Sequence, residues 1–170
     1  MRWIFAALAL ATSTAARPLP YPHYGATELQ KKVDLSFSRI PIATRFARVR
    51  HLLSWASSDC KIEECARRDA AGVHYSFWDD ALLIKSVIAA DFRSRPISAL
   101  GIGLSRTKAE VIARIKAFDR RIKLDCDPTH ISGNVGPLEC VATLGPGWIE
   151  IGFDKQNQLL MIRFDGFNAV

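Results

Sequence analysis

The sequence predicts an α+β fold in which two tandem helix-then-β-hairpin units form one antiparallel sheet with helices on one face. Three observations carry that prediction. A stretch with helical spacing is followed by two strand-like runs, and the same order returns in the second half of the chain. A shift of 62 residues then lays one helical pattern on the other, matching Ile40 with Ile102, Ile42 with Leu104, Ala47 with Ala109, Val49 with Val111 and Leu53 with Ile115. The units are expected over about 39–92 and 95–170.

The chain opens on Met1–Ala16, which reads as a secretory signal. Arg2 supplies the positive end, Trp3–Ala11 the apolar run, and Thr14-Ala15-Ala16 a small-residue exit suited to a processing peptidase. That run is too short to span a bilayer as a helix. No cysteine lies near the cut, so a lipid anchor is not expected and the product should be periplasmic or secreted. The 154 residues that remain suit one domain. Pro18, Pro20, Pro22 and Gly25 deny regular structure to the new amino terminus, so residues 17–38 are expected to be a flexible leader and 39–170 the domain.

The elements follow in order. Phe46, Val49 and Leu53 recur three or four apart and define a first helix, with Thr44 available to cap it. Val73–Trp78 and Leu82–Ile88 are rich in aromatic and branched residues and make a hairpin around Asp79-Asp80-Ala81. Val111, Ile112, Ile115 and Phe118 share one face of a second helix, with Ser105 as one cap and Thr107 with Glu110 as a capping box. Short apolar stretches at Ile122–Cys126 and Cys140–Leu144 flank a Pro/Gly/Asn loop. Trp148–Phe153 and Leu159–Phe164 form the closing hairpin, in which Ile149, Ile151 and Phe153 alternate with polar or small residues. A shift of 75 matches Asp79 with Asp154 there but sets Leu82 against Asn157.

Four cysteines, Cys60, Cys65, Cys126 and Cys140, are an even number in an exported chain and point to two disulfides. Three pairings exist. Proximity favours Cys60 with Cys65 and Cys126 with Cys140, the latter closing a loop that stabilises the fold by roughly 3 kcal/mol on a chain-entropy argument. A metal site from the C-x4-C pair, or from Cys126 with His130, is the rival use of these thiols, and oxidation outside the cytoplasm argues against it. No metal or other cofactor is expected.

The formal charge is +6 and the pI about 9.4. Between Asp34 and Asp59 every charge is positive, from Arg39, Arg45, Arg48 and Arg50, which gives a stripe for peripheral contact with an anionic membrane. An exported chain without a recognisable binding module argues against nucleic acid.

A short apolar lead with Gly103-Leu104-Ser105-Arg106-Thr107-Lys108-Ala109-Glu110-Val111, followed by the Trp148–Asp154 and Leu159–Ile162 hairpin, resembles the helix-plus-hairpin repeat of bacterial envelope proteins. These are the relatives of the β-lactamase inhibitor protein and of the SmpA/OmlA family of small outer-membrane assembly lipoproteins. The resemblance covers the pattern from about Arg39 onward. It implies a protein that offers a sheet surface to another protein. The chain departs from the lipoproteins in having no lipid-attachment cysteine.

The residues themselves point the same way. A sheet covered by helices on one side leaves its other face for a partner, and Tyr75, Trp78 and Trp148 are its aromatic anchors. With Ile149, Ile151 and Phe153 inward, strict alternation sends Trp148, Glu150 and Gly152 outward. In the first hairpin, hydrophobicity turns Val73, Tyr75 and Phe77 inward and His74 and Trp78 outward, whereas the repeat alignment would bury His74, Ser76 and Trp78. Hydrophobicity decides, and the expected binding residues are Trp78, His74, Trp148 and Glu150, facing an envelope or secreted protein.

Catalytic signatures are sparse. Gly101-Ile102-Gly103-Leu104-Ser105 lacks the third glycine of a dinucleotide fingerprint, the lysine of a P-loop and the order of a nucleophile elbow, so a turn and helix cap explains it. His23, His51, His74 and His130 share no metal spacing, and no catalytic residue is assigned. The expectation is therefore a non-enzymatic binding module; the alternative is a small hydrolase using His74 or His130 beside a carboxylate.

Overall fold

The structure, a computed structural model, describes residues 26–55, 67–127 and 135–166. The expected signal at 1–16, Cys60, Cys65, His23 and His130 lie outside those residues.

The first helix comes earlier than the sequence reading places it. α1 spans Glu28–Phe37, inside the stretch expected to be a flexible leader. The Thr27 hydroxyl accepts from the Gln30 amide at 3.1 Å, and Glu28 sits in the first turn, where a negative charge offsets the exposed N–H groups. Leu29, Val33 and Phe37 are four apart, so one apolar edge is presented to the core; Val33 and Phe37 are fully buried. Lysines and a glutamine between them hide that edge in a simple reading of composition.

The expected first helix is only a turn. α2 covers Phe46–Val49 and runs on as a 3-10 turn, Arg50–Leu52. Thr44 is not its cap: Arg45 holds that position without a side-chain bond, and the Thr44 carbonyl accepts from the Leu82 amide instead. α3, Lys108–Phe118, has the Thr107–Glu110 capping box that its sequence encodes, so Ser105 is not used as a cap.

Among the described residues there are seven strands: β1 Ser54–Trp55, β2 Arg67–Arg68, β3 His74–Trp78, β4 Ala81–Ile88, β5 Leu138–Thr143, β6 Trp148–Phe153 and β7 Leu159–Asp165. They form one antiparallel sheet in the order β1-β2-β3-β4-β7-β6-β5. The two hairpins, β3–β4 and β6–β7, meet through β4 and β7 at the centre. The β3–β4 turn consists of Asp79 and Asp80, both at positive φ (48° and 65°), the backbone that a two-residue hairpin requires. The Cys126–Cys140 disulfide is present and ties the stretch after α3 to β5, which also carries an Asp125–Val141 bridge.

The two units share more than element order. At the first helix of each, the N-cap residue bridges the second hairpin strand, Arg45 to Ala81 and Thr107 to Gln158. Matching backbone bonds flank each bridge: Phe46 N–H to Asp80 O and Leu82 N–H to Thr44 O in one, Lys108 N–H to Asn157 O and Leu159 N–H to Arg106 O in the other. Both hairpins also break register at the same place, just before Phe77 opposite Leu82 and just before Phe153 opposite Leu159. The helices therefore superimpose at a shift of 62, but the strands superimpose at 76 and then 77, not at 75. That one-residue correction brings Phe77 onto Phe153 and resolves the conflict between repeat alignment and hydrophobicity in favour of hydrophobicity.

Helices cover one side of the sheet. Phe37 of α1 meets Phe164 at 6.0 Å between ring centres, Phe46 of α2 meets Phe77 at 5.1 Å, and Lys108 of α3 lies 5.9 Å above Phe153. On the same side, Lys85 of β4 is wholly buried with its ammonium 2.6 Å from the wholly buried Asp34 carboxylate of α1. The ammonium also donates to the carbonyls of Asp34 (3.0 Å) and Ser38 (3.3 Å), and the other Asp34 oxygen accepts from the Ile42 amide. Every strong hydrogen-bonding group of the pair thus meets an opposite, which is what burial of charge demands.

Candidate functional site

Because Lys85, Phe164 and Phe153 face the helices, the residues of opposite parity form the other side of the sheet. Pairing sets Arg68, His74, Ser86, Arg163, Glu150 and Val141 in a single row across six strands, from β2 to β5. Nearer the β3–β4 turn, a second row holds Ser76, Ile84, Asp165, Trp148 and Thr143.

A groove of about 560 Å³ opens at the turn end, lined chiefly by Ser76, Phe77, Trp78, Ile84, Arg163 and Asp165. Trp78 is 58% exposed at its rim. The floor is charged: Arg163 stands 2.9 Å from Asp165 and 3.5 Å from Glu150, and the Trp148 indole N–H donates to Glu150 at 3.3 Å. Arg163 thus lies between the two carboxylates of Asp165 and Glu150.

The four sequence-predicted binding residues lie on this side but do not form one exposed patch. Trp78 is exposed, Trp148 is half-buried, and Glu150 and His74 are buried at 6% and 9% exposure. Alternation gives the side on which a residue stands, not what covers it. Part of the cover is Val135: a Cβ at Gly152 would collide with the Val135 backbone, and the Val135 amide donates to Glu139 beside it. The segment joined to the disulfide loop thereby roofs the β5–β6 end of the face. Burial raises the Glu150 pKa, opposed by Arg163 and the Trp148 hydrogen bond and assisted by Glu139 and Asp165. Tyr75, the third aromatic anchor considered, points the other way and is fully buried, its hydroxyl donating to Asp69 at 2.6 Å.

His74 has a partner of its own. Its Nε2 is 3.0 Å from Asp91, and Arg68 reaches the same carboxylate oxygen at 3.8 Å. An acid thus orients the ring, as a general base requires, and Ser86 stands directly opposite on β4. The Ser86 hydroxyl makes no hydrogen bond to the ring, so base and hydroxyl are neighbours rather than a joined pair.

The glycine-rich turn before α3 gathers carbonyls rather than amides. The Arg106 guanidinium takes the carbonyls of Gly103, Ser105, Phe92 and Arg95, an arrangement that suits a cation and not an anion, and the turn reads as structural. Arg39, Arg45, Arg48 and Arg50 are exposed, but with α2 a single turn they do not form the helical stripe expected of them. Among the described residues no group of three or more His, Cys, Asp or Glu side chains is placed to hold a metal ion, and no helix is long and apolar enough to cross a membrane. No protein-family model, curated protein or solved structure matches the chain.

The raised Glu150 pKa has a sign that can be measured. A carboxyl whose pKa is higher folded than unfolded binds its proton more readily in the native state, so its contribution to stability falls as pH rises through the folded pKa. Glu150→Gln removes that titration while keeping an acceptor for Trp148. Chemical denaturation at pH 7 and near pH 4.5 should show the wild type gaining stability relative to Glu150→Gln as pH falls; a relative loss would contradict the burial-driven shift.

Proposed function

We propose that this is an exported binding module that captures a protein partner on the open side of its sheet, with Trp78 as the anchor. The observation that carries this reading is Trp78 itself, a large aromatic 58% exposed at the rim of a 560 Å³ groove. Exposed tryptophans beside a concave surface are the usual energetic centres of protein interfaces. The rigid scaffold behind it supports the role, since β3 is hydrogen-bonded on both edges and Phe77 is packed against Phe46. The Cys126–Cys140 disulfide supports export into the periplasm or the medium, where such bonds persist.

Recovery of a partner from an envelope extract tests the reading. Trp78→Ala should lower recovery by roughly 30-fold, the effect of losing an anchor worth about 2 kcal/mol. Trp148→Ala should lower it less, because that indole is half-buried. Leu35→Ala, at an exposed position on α1, should leave it unchanged. Equal recovery by wild type and Trp78→Ala would remove the anchor and the proposal with it.

One observation favours a second reading, a small hydrolase: the His74–Asp91 pair with Ser86 across the strand. That reading requires the protein to cleave a simple ester and His74→Gln to abolish the cleavage; hydrolysis indifferent to His74 rules this site out.

A further inference from the structure

The basic character of the chain is concentrated where the sequence reading does not look for it. Between Arg114 and Leu124 lie five cations, Arg114, Lys116, Arg120, Arg121 and Lys123, against one acid, Asp119, in a protein of net charge +6. In the fold this run is the end of α3 and the turn after it. Asp119 is already committed: Arg121 grips both of its oxygens, at 3.0 and 2.8 Å, and Lys32 of α1 reaches it at 3.0 Å. Lys32 also takes the Phe118 carbonyl at 2.7 Å, which satisfies part of the negative end of the helix. Lys116, Arg120 and Lys123 are left exposed with no ion pair or hydrogen bond to their side chains. All three line one groove of about 730 Å³, which among the described residues is also lined by Ala117, Ile122 and Leu124.

Three cations that repel one another line this concavity, and among the described residues no acidic side chain lines it to offset that repulsion. A ligand that carries several negative charges within a few ångströms does so, and an apolar floor beneath the cations accepts the carbon skeleton attached to it. We propose that this groove is a binding site for a polyvalent phosphate-bearing anion, held by Lys116, Arg120 and Lys123. Phosphate suits the set because one arginine offers a planar fork to its oxygens while two lysines add point charge from the sides. The site is independent of the sheet-face reading, since α3 lies on the opposite, helix-covered side.

The same chemistry is presented by a soluble oligophosphate and by a phospholipid headgroup that carries two phosphates, and the test separates them. Binding of inorganic tripolyphosphate is measured by calorimetry, and sedimentation is measured with vesicles of phosphatidylcholine with and without cardiolipin, all at about 0.15 M salt so that only close contacts survive screening. The wild type is compared with Lys116→Gln/Arg120→Gln/Lys123→Gln and with Arg93→Gln/Arg95→Gln/Lys155→Gln, at exposed positions elsewhere and of the same net charge. The groove variant should lose about a hundredfold in affinity, on the scale of one close contact per cation, while the control stays within about threefold of wild type. Binding to tripolyphosphate assigns a soluble anion, and binding to the cardiolipin vesicles alone assigns the headgroup; either supports the site. Equal losses in the two variants, or no binding of the wild type to either probe, overturn it.

Discussion

The buried ion pair between Lys85 and Asp34 is the constraint on which the rest of the structure depends. A lysine in the middle of a central strand, on the parity that faces the core, is a liability unless a carboxylate comes to it. Asp34 comes on α1, and with it come Val33 and Phe37, the cap at Thr27 and the Lys32 contacts to the end of α3. One electrostatic requirement thus fixes which side of the sheet α1 covers. It also explains why a stretch that follows a proline-rich sequence belongs to the core.

Covering one side decides what the other can do. With α1, α2 and α3 all against Phe164, Phe77 and Phe153, the opposite face is the side these helices leave uncovered. That face is not uniformly open. Near β5 and β6 it is roofed by Val135, next to the disulfide-bonded loop, and the carboxylates beneath it are buried. Near the β3–β4 turn it stays open, and there Trp78 stands beside the groove. The His74–Asp91 pair lies in the charged row between these regions.

Much of this was legible in the residues. The capping box at Thr107 and Glu110, the closing hairpin with Ile149, Ile151 and Phe153 inward, and the Cys126–Cys140 pairing are local signals, and local chemistry produces them. The antiparallel sheet with helices on one side followed from element order. What escaped were relations between distant residues. Nothing near Lys85 announces a partner 51 positions away, and Glu28–Phe37 carries a narrow apolar edge among lysines. The repeat was visible, but its strand register was one residue off, because it was set by matching Asp79 with Asp154 in turns of unequal length, Phe77 to Leu82 being one residue shorter than Phe153 to Leu159. Burial of Glu150 and His74 comes from neighbours and a covering segment, which alternation along a strand does not encode. The basic run after α3 was not singled out in the sequence, because nothing in the order of its residues shows that Lys116, Arg120 and Lys123 line one groove.

The ion pair is tested most directly by a double-mutant cycle on Asp34 and Lys85, followed by urea denaturation. Asp34→Leu alone leaves an uncompensated ammonium in the core and should cost about 3–5 kcal/mol, Lys85→Met alone strands the Asp34 carboxylate, and Asp34→Leu/Lys85→Met, which removes both charges, should recover most of the loss. A cost below about 1 kcal/mol for Asp34→Leu, or single losses that simply add in the double variant, would contradict the claim that this pair fixes α1 on the sheet.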